Sequence, residues 1–374
     1  MSLAEKIHPK NSPKKLLALD GGGIRGMITV EVLAKLEGLL RAALGRGKDF
    51  RLCEYFDYVA GTSTGAIIAA CLSWGMSVDE IRKFYLESGK DMFDKAGLLD
   101  RYYRFKYEDK KIAKKLQEVF GRQTTLGSQK LQTLLMMVMR NATTDSPWPV
   151  SNNPRAKYND KKRDDCNLNI PLWQLIRAST AAPVFFPPEV VEMGKHRFVF
   201  VDGGITPYNN PAFQLFLMAT LEPYHLQWLT GADKMLIVSI GTGTSPEANE
   251  NLGPSDMNLM YNATSLPSAL MYASLNEQDL LCRAFGKCVA GDSLDREIGD
   301  LINTKGPVHP KLFTYVRYNA ELSEKGLNAL GVGQITPKDV QQLDSVDHVK
   351  ELQQVGKAVG EKKVKPEHFS GFLT

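Results

Sequence analysis

Gly61-Thr62-Ser63-Thr64-Gly65 is the stretch whose reading decides the fold of this chain. It fits G-x-S-x-G, the sharp strand-to-helix turn that holds a serine exposed and strained. Before it, Tyr55-Phe56-Asp57-Tyr58-Val59-Ala60 is rich in aromatic and β-branched side chains and predicts a strand running into the turn. After it, Ala66-Ile67-Ile68-Ala69-Ala70-Cys71-Leu72 is small and apolar, which predicts a helix packed closely on a sheet. The glycines suit a turn that allows almost no side-chain volume around its serine. A plain glycine turn whose serine caps the next helix has the same local pattern. The surrounding chain has to decide between them.

Upstream, Lys15-Leu16-Leu17-Ala18-Leu19 predicts a buried strand that enters Asp20-Gly21-Gly22-Gly23-Ile24-Arg25-Gly26. Ile28, Val32, Leu33, Leu36, Leu39, Leu40 and Ala43 then recur at helical spacing. Gly21, Gly23 and Gly26 also satisfy G-x-G-x-x-G. A dinucleotide site wants an acid at the end of a second strand about 20 residues on. Arg41 to Gly47 has neither an acid nor strand character. The other reading is a nest of backbone N–H groups at a helix N-terminus, suited to a phosphate or an oxyanion.

Downstream, Ser77-Val78-Asp79-Glu80 predicts a capped start for a helix through Leu86. Arg101 to Lys115 interleaves Tyr102, Tyr103, Phe105 and Tyr107 with basic residues, and reads as a loop and a helix with a solvated lysine face. The same composition also suits a membrane interface. Leu134 to Met139 is a candidate buried strand, Ser146 to Asp165 a proline-broken surface excursion, and Leu172 to Ala178 a short helix. Phe198-Val199-Phe200-Val201 predicts a strand ending in Asp202-Gly203-Gly204, and Lys234 to Ile240 another ending in Gly241-Thr242-Gly243. Between them Asn210-Pro211-Ala212 opens an apolar helix. Past Asn249 the pattern weakens, with Leu312 to Tyr318 as one more strand and Lys338 to Val359 as one or two amphipathic helices. No repeat and no low-complexity linker divides the 374 residues, so one domain is expected, with a core over about 16–320 and a helical extension over about 321–374.

Composition sets the outer limits. With 43% hydrophobic and 24% charged residues, the chain can build a sizeable core. A net charge of +4, from 46 Lys+Arg against 42 Asp+Glu, is too mild to argue for a nucleic acid polymer and would tolerate an anionic surface. Cys53, Cys71, Cys166, Cys282 and Cys288 form no C-x-x-C, which points to a reducing, cytoplasmic setting and to no zinc site. Met1 to Lys15 lacks a signal peptide's apolar core. The apolar stretches fall short of the ~20 residues that span a bilayer, so membrane contact is expected to be peripheral.

The turns at Asp20, Ser63, Asp202 and Gly241 each end a predicted strand. In a mostly parallel sheet such ends share one edge, where α/β proteins build their sites. An activated serine needs a base, an oxyanion hole and a cleft. The glycine loop can supply N–H donors, and Asp202 can supply the base. An α/β-hydrolase would instead place a histidine after the acid. His309, His348 and His368 are the candidates, and none sits in a glycine turn after a strand. The residues therefore point to a serine–aspartate dyad. Its carboxylate is a weaker base than imidazole and must gain strength from desolvation.

Asp20-Gly-Gly-Gly-Ile-Arg-Gly26, Gly61-Thr-Ser-Thr-Gly65 and Asp202-Gly-Gly204 resemble, in order, the three signature blocks of patatin-like phospholipases. Arg177-Ala-Ser-Thr-Ala-Ala-Pro183 and Asn210-Pro-Ala212 resemble further blocks of that family. The resemblance covers about Leu16 to Gly243. It implies a three-layer α/β/α fold with a mostly parallel central sheet, and a lipid acyl hydrolase that needs no metal or cofactor. Carried over position by position, it makes Ser63 the nucleophile and Asp202 the general base. Gly22, Gly23 and Ile24 would line the oxyanion hole. Arg25, where some members carry lysine, would contact a substrate phosphate.

The expected substrate is thus a phospholipid or another acyl lipid. A second reading is a ligand-gated phospholipase effector of the bacterial anti-phage type, inert until a small molecule or protein binds the C-terminal third. A third is a non-catalytic lipid-binding module, which the intact pair of Ser63 and Asp202 argues against.

Overall fold

The computed structural model describes residues 3–8, 13–93, 112–183, 186–245 and 259–373. Nine strands of these residues form one sheet: β1 (Lys14–Leu19), β2 (Tyr58–Thr62), β3 (Leu134–Asn141), β4 (Ser146–Ser151), β5 (Glu189–Met193), β6 (His196–Asp202), β7 (Met235–Ile240), β8 (Lys287–Ala290) and β9 (Thr314–Tyr318). The order is β5-β6-β3-β2-β1-β7-β9-β8, with β4 also paired to β3. The central run from β3 to β8 is parallel, whereas β4, β5 and β6 pair antiparallel.

The central strands are apolar along their whole length because both faces are covered. Leu17, Leu19, Val59, Leu135, Met137, Leu236 and Val238 point into one core. Their neighbours Leu16, Ala18, Tyr58, Ala60, Leu134, Met136 and Ile237 point into the other. Helices Gly26–Ala43, Thr64–Ser73, Val78–Phe93 and Leu172–Thr180 build the first helical layer. Helices Ala212–Thr220 and Leu259–Phe285 cover the opposite face. The result is a three-layer α/β/α arrangement around a mostly parallel sheet.

The predicted start at Ser77 is a reciprocal cap. The Ser77 N–H donates to Glu80 Oε2 at 2.7 Å, and the Glu80 N–H donates to Ser77 Oγ at 3.2 Å. The C-terminal helix Val349–Lys363 lies on Gly26–Ala43. Its Gly356 comes so close that an added Cβ would stand 2.8 Å from the Ile28 carbonyl oxygen.

Three expectations need correction or limits. Tyr55 belongs to a short helix, Leu52–Tyr55, and the strand begins only at Tyr58. Ser146–Ser151, expected within a surface excursion, is β4; Pro147 and Pro149 are tolerated there because among the described residues this strand pairs with β3 alone, along one edge. Strands β5 and β8 carried no clear signal. The basic-aromatic stretch from Arg101 lies outside the described residues up to 111. From 112 to 120 it is a helix that buries Ile112, Leu116 and Phe120 and exposes Lys114.

Candidate active site

The geometry at β3 brings the two predicted catalytic residues together. β4 occupies one edge of β3 from Met136 to Asn141. The other edge is shared: β2 pairs up to Thr62–Val138, and β6, running the opposite way, begins at Asp202–Met139. The two strands therefore meet end to end on consecutive residues of β3. Asp202 does not arrive from a parallel strand's carboxyl edge, as the sequence reading had it. It arrives from an antiparallel strand that points at Ser63.

Ser63 follows β2 directly and opens helix Thr64–Ser73, with φ 54° and ψ −123°. A non-glycine residue at positive φ is strained and must be held by its surroundings. Here the Ser63 N–H donates to Ser179 Oγ at 3.0 Å, and Ser179 Oγ donates to the Val138 carbonyl at 2.5 Å. Helix Leu172–Thr180 thus pins the turn to β3. Ser179 lies in the Arg177–Pro183 block, but nothing in the sequence marked its task. Close packing does the rest. A Cβ on Gly61 would collide with the Gly65 carbonyl and lie 2.5 Å from the Ala66 nitrogen. These are backbone atoms that cannot step aside. Gly61→Ala should therefore cost at least ~3 kcal/mol and lower Tm by roughly 4 °C or more in a thermal melt. A wild-type-like melt would show that the turn is not packed this tightly.

The Ser63 hydroxyl donates to Asp202 Oδ2 at 2.6 Å. Asp202 Oδ1 accepts the Gly204 N–H at 2.6 Å, and the Asp202 N–H donates to the Ala181 carbonyl at 2.9 Å. Both side chains are nearly enclosed, Ser63 at 9% and Asp202 at 5% exposure. Burial pushes the Asp202 carboxyl up to about 6, although the bonds from Ser63 and Gly204 pull the other way. A carboxylate so placed is a stronger base than one in water and is still ionised at neutral pH. Among the described residues, no histidine bonds Ser63. His368 Nδ1 lies 2.8 Å from the Tyr318 hydroxyl, His348 sits between Asp339 and Glu351, and His309 is exposed.

The four predicted turns do gather. The Gly21 N–H donates to the Asn209 carbonyl at 3.1 Å, and Thr242 Oγ1 donates to the Gly21 carbonyl at 2.8 Å. Asp20 anchors the glycine loop through a buried double hydrogen bond from Arg317, at 2.9 and 2.6 Å. Arg317 stands nearly 300 positions away in the chain, and the sequence reading missed it.

Two of the predicted site residues are otherwise engaged. The Ile24 N–H donates to the Leu343 carbonyl at 2.9 Å, so this amide is not presented to a substrate oxygen. Arg25 is 9% exposed, and its Nη1 donates to the Gln341 carbonyl at 3.1 Å. Burial lowers its guanidinium to about 10, still charged at neutral pH. One arm of the guanidinium is thus bonded to the C-terminal segment. Gly22 and Gly23 remain as candidate donors; Gly23 has φ 59°, a conformation that favours glycine.

All five cysteines are buried and free. Among the described residues, no helix is long and apolar enough to cross a membrane.

A family model described as patatin-like phospholipase matches residues 17–216, which hold every signature block quoted above. An intracellular phospholipase A2 from Caenorhabditis elegans is 31% identical over 245 residues, covering 63% of this chain and 20% of that protein. Patatin-1-Kuras 2 and Patatin-T5 from Solanum tuberosum are 27% and 28% identical over 249 residues. Each of these covers 62% of this chain, and 63% and 61% of the potato proteins. The matched segment is thus about a fifth of the nematode protein and three-fifths of the potato ones. Among solved structures, VipD from Legionella pneumophila aligns with a TM-score of 0.39 and 16% identity, over 91% of this chain and 67% of its own. That likeness is too loose to carry an argument.

Proposed function

This chain belongs to the patatin-like phospholipase family, and from that premise we propose that it is a serine lipid acyl hydrolase built as a single patatin-like domain. The observation that carries the reading is the 2.6 Å bond from Ser63 Oγ to a buried carboxylate whose pKa lies near 6. Ser63 attacks the carbonyl carbon of an acyl ester, and Asp202 takes its proton. The N–H groups of Gly22 and Gly23 bind the oxyanion. Asp202 then returns the proton to the departing alcohol, which leaves an acyl-enzyme on Ser63. Water enters, gives a proton to Asp202 and releases the fatty acid. Phospholipids are the proposed substrates, met through peripheral contact with a membrane in the cytoplasm.

The test is product mass spectrometry on a mixed-lipid extract. The wild type should release free fatty acids and the matching lysolipids, and Ser63→Ala should release none. Equal release by both proteins would overturn the reading.

A gated form of the same activity has one observation in its favour. The segment Gln341–Leu343 holds Ile24 and Arg25 while Ser63 and Asp202 stay nearly enclosed. Protein that hydrolyses lipid only after a small molecule, such as a nucleotide, is added would support the gated form.

A further inference from the structure

We propose that Asn209 holds the water that frees the fatty acid from Ser63. This rests on the hydrolase reading above and assigns a residue to its second half-reaction.

Asn209 follows the Asp202 turn and is wholly buried. Its side chain lies across Gly21 and against Gly204. A Cβ on Gly21 would overlap Asn209 Oδ1 and stand 3.3 Å from the Cβ of Ser63. A Cβ on Gly204 would stand 3.0 Å from Asp202 Oδ1 and 3.3 Å from Asn209 Oδ1. The amide therefore borders the nucleophile on one side and the base on the other, across two glycines whose missing side chains leave it room.

Neither Oδ1 nor Nδ2 of Asn209 finds a hydrogen-bond partner among the described residues. Proteins rarely leave a buried amide with neither end bonded, and the exceptions gather at functional sites. The neighbour Asn210 differs in its oxygen: Oδ1 accepts the Ala212 N–H at 3.1 Å and the Ser239 hydroxyl at 3.2 Å, a structural cap, and only its Nδ2 lacks a partner among the described residues.

The chemistry of the free ends selects the partner. An ester or oxyanion oxygen only accepts, so it would leave the amide oxygen of Asn209 unbonded. Water donates and accepts, and one molecule can bond both ends of a primary amide. The second half-reaction needs such a molecule beside Asp202. There the water oxygen attacks the acyl carbon and Asp202 takes one water proton. The bond from that carbon to Ser63 Oγ breaks, Ser63 recovers the proton from Asp202, and the carboxylic acid leaves.

The experiment separates the two half-reactions. Stopped-flow hydrolysis of a p-nitrophenyl ester gives acylation from the burst and deacylation from the steady state, and intact-protein mass spectrometry counts the acyl-enzyme. Asn209→Ala should acylate within about threefold of wild type. Its deacylation should fall roughly 10- to 100-fold, the cost of one hydrogen bond to the reacting water, and acyl-enzyme should accumulate. Hydroxylamine, a stronger nucleophile, should restore turnover in the variant more than in wild type. If the alanine variant does not fold, Asn209→Thr and Asn209→Val pose the same question, and threonine, which keeps a hydroxyl, should deacylate faster. Unchanged deacylation, or acylation and deacylation falling together, would overturn the assignment. A wild type that never acylates at Ser63 would overturn the hydrolase reading itself and this assignment with it.

Discussion

Replacing Ser63 with alanine should leave a folded protein whose hydrolysis of short acyl esters is lower by ~10⁴-fold or more, the usual consequence of removing a nucleophile. The wild type should form a covalent adduct with a fluorophosphonate at Ser63, and the variant none. The structure gives two reasons for the size of the effect. The hydroxyl is the atom aimed at Asp202, at 2.6 Å, and no other serine or cysteine bonds that carboxylate among the described residues. The strained φ of 54° also ends in a side chain that alanine shortens without touching the turn, so the fold should survive. Substantial esterase activity in Ser63→Ala would remove the serine from the mechanism.

Asp202→Asn should cost about 10³- to 10⁴-fold in turnover, because the amide keeps the shape of the carboxylate and loses its basicity. The wild-type rate should rise with pH through about 6 and then level, since the basic form of Asp202 exists only above its raised pKa. Thermal stability should show the opposite sign. Below the unfolded value of 3.8 both states hold the proton and the carboxyl costs nothing. As pH rises through about 6 the native state must ionise a buried group, and stability is lost, by at most ~3 kcal/mol. Asp202→Asn lacks that titration. Its Tm relative to wild type should therefore be higher at pH 8 than at pH 4. A gap in Tm that does not change with pH would mean that Asp202 titrates like a solvated carboxylate. An undiminished rate in Asp202→Asn would hand the proton to another base.

The sequence alone determined what is local. Continuous apolar runs predicted strands covered on both faces. The 3.6-residue recurrence after Gly26 predicted a helix, and Gly61 to Gly65 predicted a strand–turn–helix with a serine at its tip. Those signals are readable because a strand, a turn or a helix imposes its own periodicity on neighbouring residues. The resemblance in the glycine blocks extended that reading to Ser63 and Asp202 as a pair. Only the tertiary structure decided how the pair is made: β2 and β6 approach from opposite directions and end on adjacent residues of β3. The same holds for Ser179 under the turn, Arg317 on Asp20, and Gln341 and Leu343 on Arg25 and Ile24. Each of these contacts joins residues more than 100 positions apart, and Arg25 and Gln341 are separated by 316. No period connects positions so distant. Their meeting is set by strand order and by the packing of whole layers, so it became visible only once the sheet was assembled.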